Sequence, residues 1–198
     1  MAEGNAFILK RNNMNNRHKV FVSYHHELDE SYKKIFELRF GNRFGAIIPG
    51  SVEVGDIDPD LPTETIRKKI RDEYLRDTSV TVVLIGAKTW QRKHVDWEIG
   101  SSIRNTKANP RSGLLGILLP TYNKYYGRED LSKYNRGTIP PRLFDNILCG
   151  FASIHNWSED ADTVQEWIHE AYLRKSRELP DNSRDSFGKN RTGSTWTD

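Results

Sequence analysis

Two short, almost purely apolar runs constrain the fold of this chain more than any other feature. One covers residues 79–85 and the other covers residues 114–119, where Pro120 ends it. A strand with one solvated face alternates apolar and polar residues, whereas a strand covered on both faces forms a continuous apolar run. Runs this short are also typical of strands rather than helices. Both segments are therefore predicted to be inner strands of a parallel sheet.

Weaker patterns on either side of these runs predict the remaining elements. Strands are predicted at residues 19–24, 45–48 and 151–154, and apolar residues at helical spacing predict helices over residues 27–40, 66–74, 95–103 and 164–172. Residues 121–141 are predicted to be a Tyr-rich loop. Because the strands are separated by helices, right-handed crossovers are required. The predicted class is α/β, with a central parallel sheet of about five strands and helices on both faces.

The two ends of the chain differ in composition from the middle. Residues 1–17 are rich in Asn and show no periodicity, and residues 180–198 are polar with few apolar anchors. Both are predicted to be flexible, so that residues 18–179 form one domain, and a chain of 198 residues suits a single α/β domain. Removal of residues 180–198 is accordingly expected to change thermal stability little.

Composition argues against several classes of function. The 30 basic and 27 acidic residues are interspersed and leave a net charge of +3, so no nucleic-acid partner is expected. Cys149 is the only cysteine, which excludes a disulfide within the chain and argues against a Cys-based zinc site. No apolar run approaches the roughly 20 residues that cross a bilayer. The first residues lack a signal-peptide pattern, so we expect a cytoplasmic protein without a membrane partner.

The usual nucleotide and metal motifs are also absent. There is no Gly-x-Gly-x-x-Gly after the first strand, no phosphate-binding P-loop and no Gly-x-Ser-x-Gly elbow. The acidic loop that begins at Asp56 resembles the start of a calcium loop, but Leu61 and Arg67 replace the Gly and Glu that such a loop needs. His25 and His26 are adjacent at a strand end, where neighbouring side chains point apart. No metal site is predicted.

Ligands of parallel α/β sheets bind beyond the carboxyl ends of the strands. His25 and His26 follow the first predicted strand, Asp56 lies in the acidic loop after the second, and Trp90 follows the third. These four residues are therefore candidates for contact with a ligand.

A carboxylate follows the same third strand. Glu98 directly precedes Ile99, a residue of the apolar stripe, and it directly follows Trp97. An acid that is partly withdrawn from water can have a shifted pKa and a fixed orientation. An acid near the start of a helix also simply favours the helix dipole, and spacing alone favours this second interpretation.

Three segments, taken in their order along the chain, resemble a TIR domain. Residues 19–24 end in Ser23-Tyr24, with Asp29 shortly after, and are similar to the family's first box. Residues 56–85 are similar to the BB loop, the helix after it and the next core strand. Residues 94–99 are similar to the box that carries the family's catalytic glutamate, although His94 stands where the family usually has Trp. The resemblance covers roughly residues 19–173 and is in particular to bacterial TIR-like proteins of antiphage defence, such as the TIR component of the Thoeris system.

The resemblance implies a flavodoxin-like TIR fold and a specific chemistry. It implies cleavage of the nicotinamide–ribose bond of NAD⁺ with Glu98 as the catalytic carboxylate. Because NAD⁺ would be the substrate, no cofactor is expected. Together with the position of the strand ends, the resemblance indicates these substrate-binding residues: Ser23, Tyr24, His25, His26, Asp56, Trp90 and His94.

The resemblance also implies partners. The product would be a signal of the cyclic ADP-ribose type that acts on a nucleotide-sensing effector, with linear ADP-ribose as the product if water attacks instead. The domain would associate with itself on activation, through residues 49–62 of one copy completing the site of another. Two other functions stay open from the residues alone. One is a TIR–TIR interaction module without activity, and the other is an enzyme like a nucleoside deoxyribosyltransferase.

Overall fold

A computed structural model describes residues 17–41, 46–48, 61–107 and 109–197. The strands are β1 (Lys19–Ser23), β2 (Ala46–Ile48), β3 (Val80–Ile85), β4 (Gly113–Leu118) and β5 (Ala152–Asn156). The helices are α1 (His26–Phe40), α2 (Thr63–Lys69), α3 (Lys93–Ser102), α4 (Pro120–Tyr125), α5 (Pro141–Leu148) and α6 (Ala161–Arg177). A π-helical turn, Ile70–Tyr74, continues α2, and 3-10 turns lie at Thr89–Gln91 and Arg136–Thr138.

The five strands form one parallel sheet in the order β2-β1-β3-β4-β5. Every residue of β3 and β4 is buried, as the continuous apolar runs predict. This strand order is that of the flavodoxin-like folds, whose ligand crevice lies where the order reverses between β1 and β3. The predicted α/β class, the parallel sheet and the flavodoxin-like arrangement are confirmed.

Helices cover both faces of the sheet. Phe36 of α1 and Ile168 of α6 lie in one core cluster. Ile66 of α2 packs in a second cluster, and Ile99 of α3 packs with Leu143 of α5 in a third. Crossovers of one hand place helices on opposite faces when the chain moves in opposite directions across the sheet. The helices that follow β1 and β3 therefore leave the sheet on opposite sides.

The prediction of a loop over residues 121–141 is wrong in part, because this segment contains α4 and leads directly into α5. Tyr122 of α4 is fully buried, and its hydroxyl lies 2.6 Å from the Thr138 hydroxyl. Pro120 and Pro141 each open a helix, where a proline costs no backbone hydrogen bond. These two prolines were the signal in the sequence that could have located both helices.

The prediction of a flexible tail from residue 180 is also wrong. Residues 181–197, named here the C-terminal strap, lie across α3 and α5. Phe187 and Trp196 are each only 6% exposed. The Trp196 indole N–H donates to the carbonyl oxygen of Ile139 at 2.6 Å, and the Trp97 indole N–H donates to the carbonyl oxygen of Phe187 at 2.9 Å. Two large aromatic side chains are enough to anchor a polar segment, because each buries about 150–250 Å².

The predicted N-terminal segment lies outside the described residues, apart from Arg17. Among the described helices, none is both long and apolar enough to cross a membrane.

Candidate active site

The centre of the candidate site is a contact between β1 and α3. The hydroxyl group of Ser23, the last residue of β1, donates a hydrogen bond of 2.5 Å to Oε2 of Glu98. Neither residue has any exposed surface. Successive side chains of a strand point to opposite faces, so Ser23 lies on the same face as Phe21, which packs against Trp97 of α3. The alternation of β1 therefore directs the Ser23 hydroxyl towards the helix that carries Glu98.

The burial of Glu98 follows from the position of α3. All residues of α3 from 95 to 102 are buried. Val95 and Ile99 pack against β3 and β4, and Asp96 forms an ion pair with Arg142 of α5, with Asp96 Oδ1 2.9 Å from Arg142 Nε. A helix enclosed on all sides has no solvated face. The Glu98 carboxylate is thus held within the protein at the carboxyl end of β1.

Two histidines are close in the chain to the two residues of this contact. His94 is four residues before Glu98 in α3, so the two side chains share one face of the helix. His25 comes two residues after Ser23 and is 4% exposed. Burial lowers the pKa of His25 to about 4, and the positive charge of Arg92 contributes. Burial likewise lowers the pKa of His94 to about 4, with further contributions from Lys93 and Arg92. Both rings are therefore uncharged at neutral pH.

Tyr24 does not face Glu98. Its side chain belongs to the core cluster on the α1 and α6 side of the sheet, and its ring stacks on His26 with 4.7 Å between centroids. The same alternation that turns Ser23 towards α3 turns Tyr24 away from it. His26 nevertheless lies close enough to His94 for its charge to lower the pKa of that ring.

Asp29 is a buried acid to which the sequence interpretation assigned no role. It lies in the first turn of α1 and is 1% exposed. Thr121 Oγ1 donates to its Oδ1 at 3.2 Å, and Thr89 Oγ1 donates to its Oδ2 at 3.3 Å. Burial raises the pKa of Asp29 to about 6, although both hydrogen bonds oppose the rise. The carboxylate connects α1 to the segments after β3 and β4, and so holds the carboxyl edge of the sheet together.

The absence of a side chain at Gly86 leaves space for the Asp29 carboxylate. A Cβ atom on Gly86 would lie 2.2 Å from both carboxylate oxygens of Asp29. The Gly86 N–H also donates to Thr89 Oγ1 at 2.8 Å. Only glycine leaves enough room for this approach of the carboxylate to the backbone.

A comparison with known protein families identifies the family of this chain. Residues 21–124 match the family model of the Thoeris protein ThsB, TIR-like domain. The match includes most of β1 and all of α3, and it covers more than half of the chain. The chain belongs to this ThsB TIR-like family. A search of curated proteins finds no match.

Trp90, one of the residues predicted to bind substrate in the TIR-like domain, does not lie at the Ser23–Glu98 contact. Trp90 is only 1% exposed, and its indole N–H donates to the Tyr126 hydroxyl at 3.3 Å. The segment after β3 turns the Trp90 indole N–H towards the end of α4, where Tyr126 lies. Asp56 lies outside the described residues.

The TIR-like domain also contains a cavity of about 720 Å³ between Trp90 and the strap. Its described lining residues do not include Ser23, His94 or Glu98. The candidate site is instead the enclosed Glu98 carboxylate, because the carboxylate that lines the strap cavity, Asp185, is exposed to solvent. Among the described residues, no group of three or more His, Cys, Asp or Glu side chains is arranged to hold a metal ion.

Proposed function

We propose that this TIR-like domain cleaves NAD⁺ at the nicotinamide–ribose bond, with Glu98 as the catalytic carboxylate. The observation that carries the proposal is the enclosed Glu98 carboxylate, bonded to the Ser23 hydroxyl at the carboxyl end of β1. This is the edge of the sheet where flavodoxin-like folds bind ligands. Membership of the ThsB TIR-like family supports the same assignment.

The chemistry needs one negative charge at a defined position. When the bond between the ribose C1′ and the nicotinamide nitrogen breaks, its electron pair stays on the nitrogen and neutralises the pyridinium ring. Positive charge then develops on the ribose, as in glycoside hydrolysis. A carboxylate beside the ribose stabilises this charge, and it does so more strongly where water is excluded. In this proposal Ser23 orients the carboxylate.

The ribosyl cation must then be captured by a nucleophile. Attack by water releases ADP-ribose and a proton. Attack by a nucleophile of the same molecule, either the adenine ring or a ribose hydroxyl, releases a proton and closes a cyclic isomer. We propose the cyclic outcome, because a signalling product is what the Thoeris resemblance implies. A nucleotide-sensing effector would receive that product.

His25 and His94 are the side chains best suited to contact the substrate. Nδ1 of each ring is buried and has no hydrogen-bond partner among the residues that the structure describes. Buried polar atoms normally have a partner, so these nitrogens are available to a bound molecule. Since burial lowers both pKa values to about 4, each ring would bind as a neutral donor or acceptor.

The enclosure of the site supports activation by self-association. Ser23 and Glu98 are both fully buried, so a ribose cannot reach the carboxylate until part of the surrounding protein moves. Contact between two TIR-like domains would supply the energy for this opening. We propose that an isolated copy is a resting form and that assembly on infection starts NAD⁺ turnover.

The test compares the wild-type chain with Glu98→Gln in cells with and without phage challenge, using mass spectrometry of the extracted nucleotides. Glutamine keeps the shape of the side chain and removes its charge, so we expect NAD⁺ loss and the cyclic product to disappear while the protein stays folded. Glu166→Gln, on the exposed face of α6, is the matched control and should behave as wild type. Wild-type turnover by Glu98→Gln would refute the role of Glu98. Absence of any NAD⁺ loss with the wild-type chain would instead favour a TIR–TIR interaction module.

A further inference from the structure

The C-terminal strap supplies a cap that α3 lacks. Arg92 occupies the N-cap position, and its side chain makes no capping hydrogen bond. The Oδ1 atom of Asn190 accepts a hydrogen bond of 3.0 Å from the Lys93 N–H, the first of the helix. The first N–H groups of a helix have no partner within it and need one from elsewhere. A residue distant in sequence therefore completes the start of the helix that carries Glu98.

A second set of contacts lies directly beside Glu98. The backbone N–H of Phe187 donates to Asp96 Oδ2 at 3.0 Å, and the Trp97 indole N–H donates to the Phe187 carbonyl oxygen at 2.9 Å. One strap residue thus bonds to both residues that precede Glu98. These bonds are shielded from water, since Asp96 and Trp97 are each 3% exposed and Phe187 is 6% exposed.

The strap also holds α3 beyond Glu98. The side-chain amide of Asn182 donates to the Gly100 carbonyl oxygen at 3.0 Å. Its Oδ1 accepts from Arg142 Nη1 at 2.7 Å, and Arg142 is the ion-pair partner of Asp96. The strap therefore contacts α3 at its start, beside Glu98 and near its end.

The opposite side of α3 faces β1, where Ser23 bonds to Glu98 at 2.5 Å. The helix is consequently held between the strand that orients the carboxylate and the strap. A small displacement of α3 would lengthen the Ser23–Glu98 hydrogen bond and move the carboxylate from its position. A shift of about 1 Å in a reacting group can cost on the order of 100-fold in rate.

We infer that two residues of the strap, Asn190 and Phe187, are positioning residues that hold Glu98 in place through α3. The inference rests on the proposed function for its catalytic consequence. It also extends the functional unit beyond residue 124, where the match to the family model ends. The catalytic helix of this chain depends on a segment that follows the last helix of the fold.

The role of Asn190 can be tested with one variant that removes its acceptor oxygen and one that keeps it. Asn190→Ala removes the cap, Asn190→Asp keeps an oxygen acceptor in the same place, and Ser194→Ala changes an exposed strap residue as the control. Turnover of NAD⁺ by the full chain is measured under the conditions where the wild type is active, well below the melting temperature of each variant. We expect Asn190→Ala to lower kcat at least about 10-fold with little change in KM. Asn190→Asp should restore kcat, because aspartate also caps helices well.

A second measurement is independent of catalysis. Hydrogen exchange of the α3 amides should be faster in Asn190→Ala than in the wild type and normal in Asn190→Asp. Trp97→Phe, which removes the donor to Phe187, should reproduce both effects if Asn190→Ala fails to fold. Unchanged exchange, or faster exchange with unchanged kcat, would overturn the inference. A wild-type chain that never consumes NAD⁺ would overturn the proposed function and the catalytic role of the strap, while exchange would still decide whether the strap holds α3.

Discussion

Asp96→Asn removes one charge from the ion pair that joins α3 to α5. Asp96 Oδ1 accepts from Arg142 Nε at 2.9 Å, and Oδ2 accepts from Nη2 at 3.3 Å. The two side chains are 2% and 0% exposed. Asparagine has nearly the same shape and can still accept from the Phe187 N–H. The variant therefore keeps the packing of the pair and removes its charge together with one hydrogen bond from Arg142.

The expected loss of stability is large because the remaining charge stays buried. A buried pair that loses one partner typically costs about 3–5 kcal/mol, since the other ion is left without compensation. For a protein of this size each kcal/mol lowers the melting temperature by about 2–4 °C, so we expect a fall on the order of 10 °C. Replacement of both partners should cost less than Asp96→Asn alone, because it leaves no unpaired buried charge.

Urea denaturation followed by circular dichroism measures the free energies for the wild type, Asp96→Asn, Arg142→Met and the double variant. The control is Glu30→Gln, which breaks the exposed Lys34–Glu30 pair and should leave stability unchanged. A loss below about 1 kcal/mol for Asp96→Asn would refute the reasoning, because it would place the pair in the energetic range of surface ion pairs. A double variant less stable than Asp96→Asn would refute it as well.

Two further predictions concern the whole domain. Deletion of residues 181–198 should lower the melting temperature by more than about 5 °C, because the buried surface of Phe187 and Trp196 is lost and the Trp97 indole loses its acceptor. An unchanged melting temperature in calorimetry would show that the strap does not stabilise the domain. Acidification from pH 7 to pH 5 should lower the free energy of unfolding. Burial lowers the pKa of four histidines from 6.5 to about 4, namely His18, His25, His94 and His155. The unfolded chain therefore binds more protons than the folded chain in this pH range, and acid favours unfolding. Asp29, whose pKa of about 6 lies above its ordinary 3.8, has the opposite effect, but it is one group against four. A free energy of unfolding in urea that stays constant or rises at pH 5 would contradict the prediction that the histidines dominate.

Local patterns in the sequence were sufficient for the class of fold. The apolar runs at β3 and β4 predicted strands covered on both faces, and both strands are buried throughout. This inference works because burial on two faces imposes a composition that neighbouring residues share. The box at residues 94–99, by its resemblance to the TIR family, likewise implied that Glu98 is the catalytic carboxylate.

Contacts between distant segments were decided only by the tertiary structure. The alternation of β1 turns Ser23 towards Glu98 and Tyr24 away from it, although the two residues are adjacent. Trp90 follows the correct strand for a ligand contact, yet it packs beside Tyr126. The direction of a side chain depends on which element covers each face of the sheet, and the residues of the covering element lie elsewhere in the chain.

The strap shows the same limit most clearly. Its composition is polar, and Phe187 and Trp196 stand alone among residues that favour solvent. An isolated aromatic residue is buried only if another part of the fold offers it a matching surface and an acceptor. Here the carbonyl oxygen of Ile139 accepts from Trp196, and Trp97 and Asp96 bond to the backbone of Phe187. Those partners come together only after α3 and α5 have packed on the sheet. The sequence alone therefore determined the sheet and its candidate carboxylate, whereas the tertiary packing determined which residues hold that carboxylate in place.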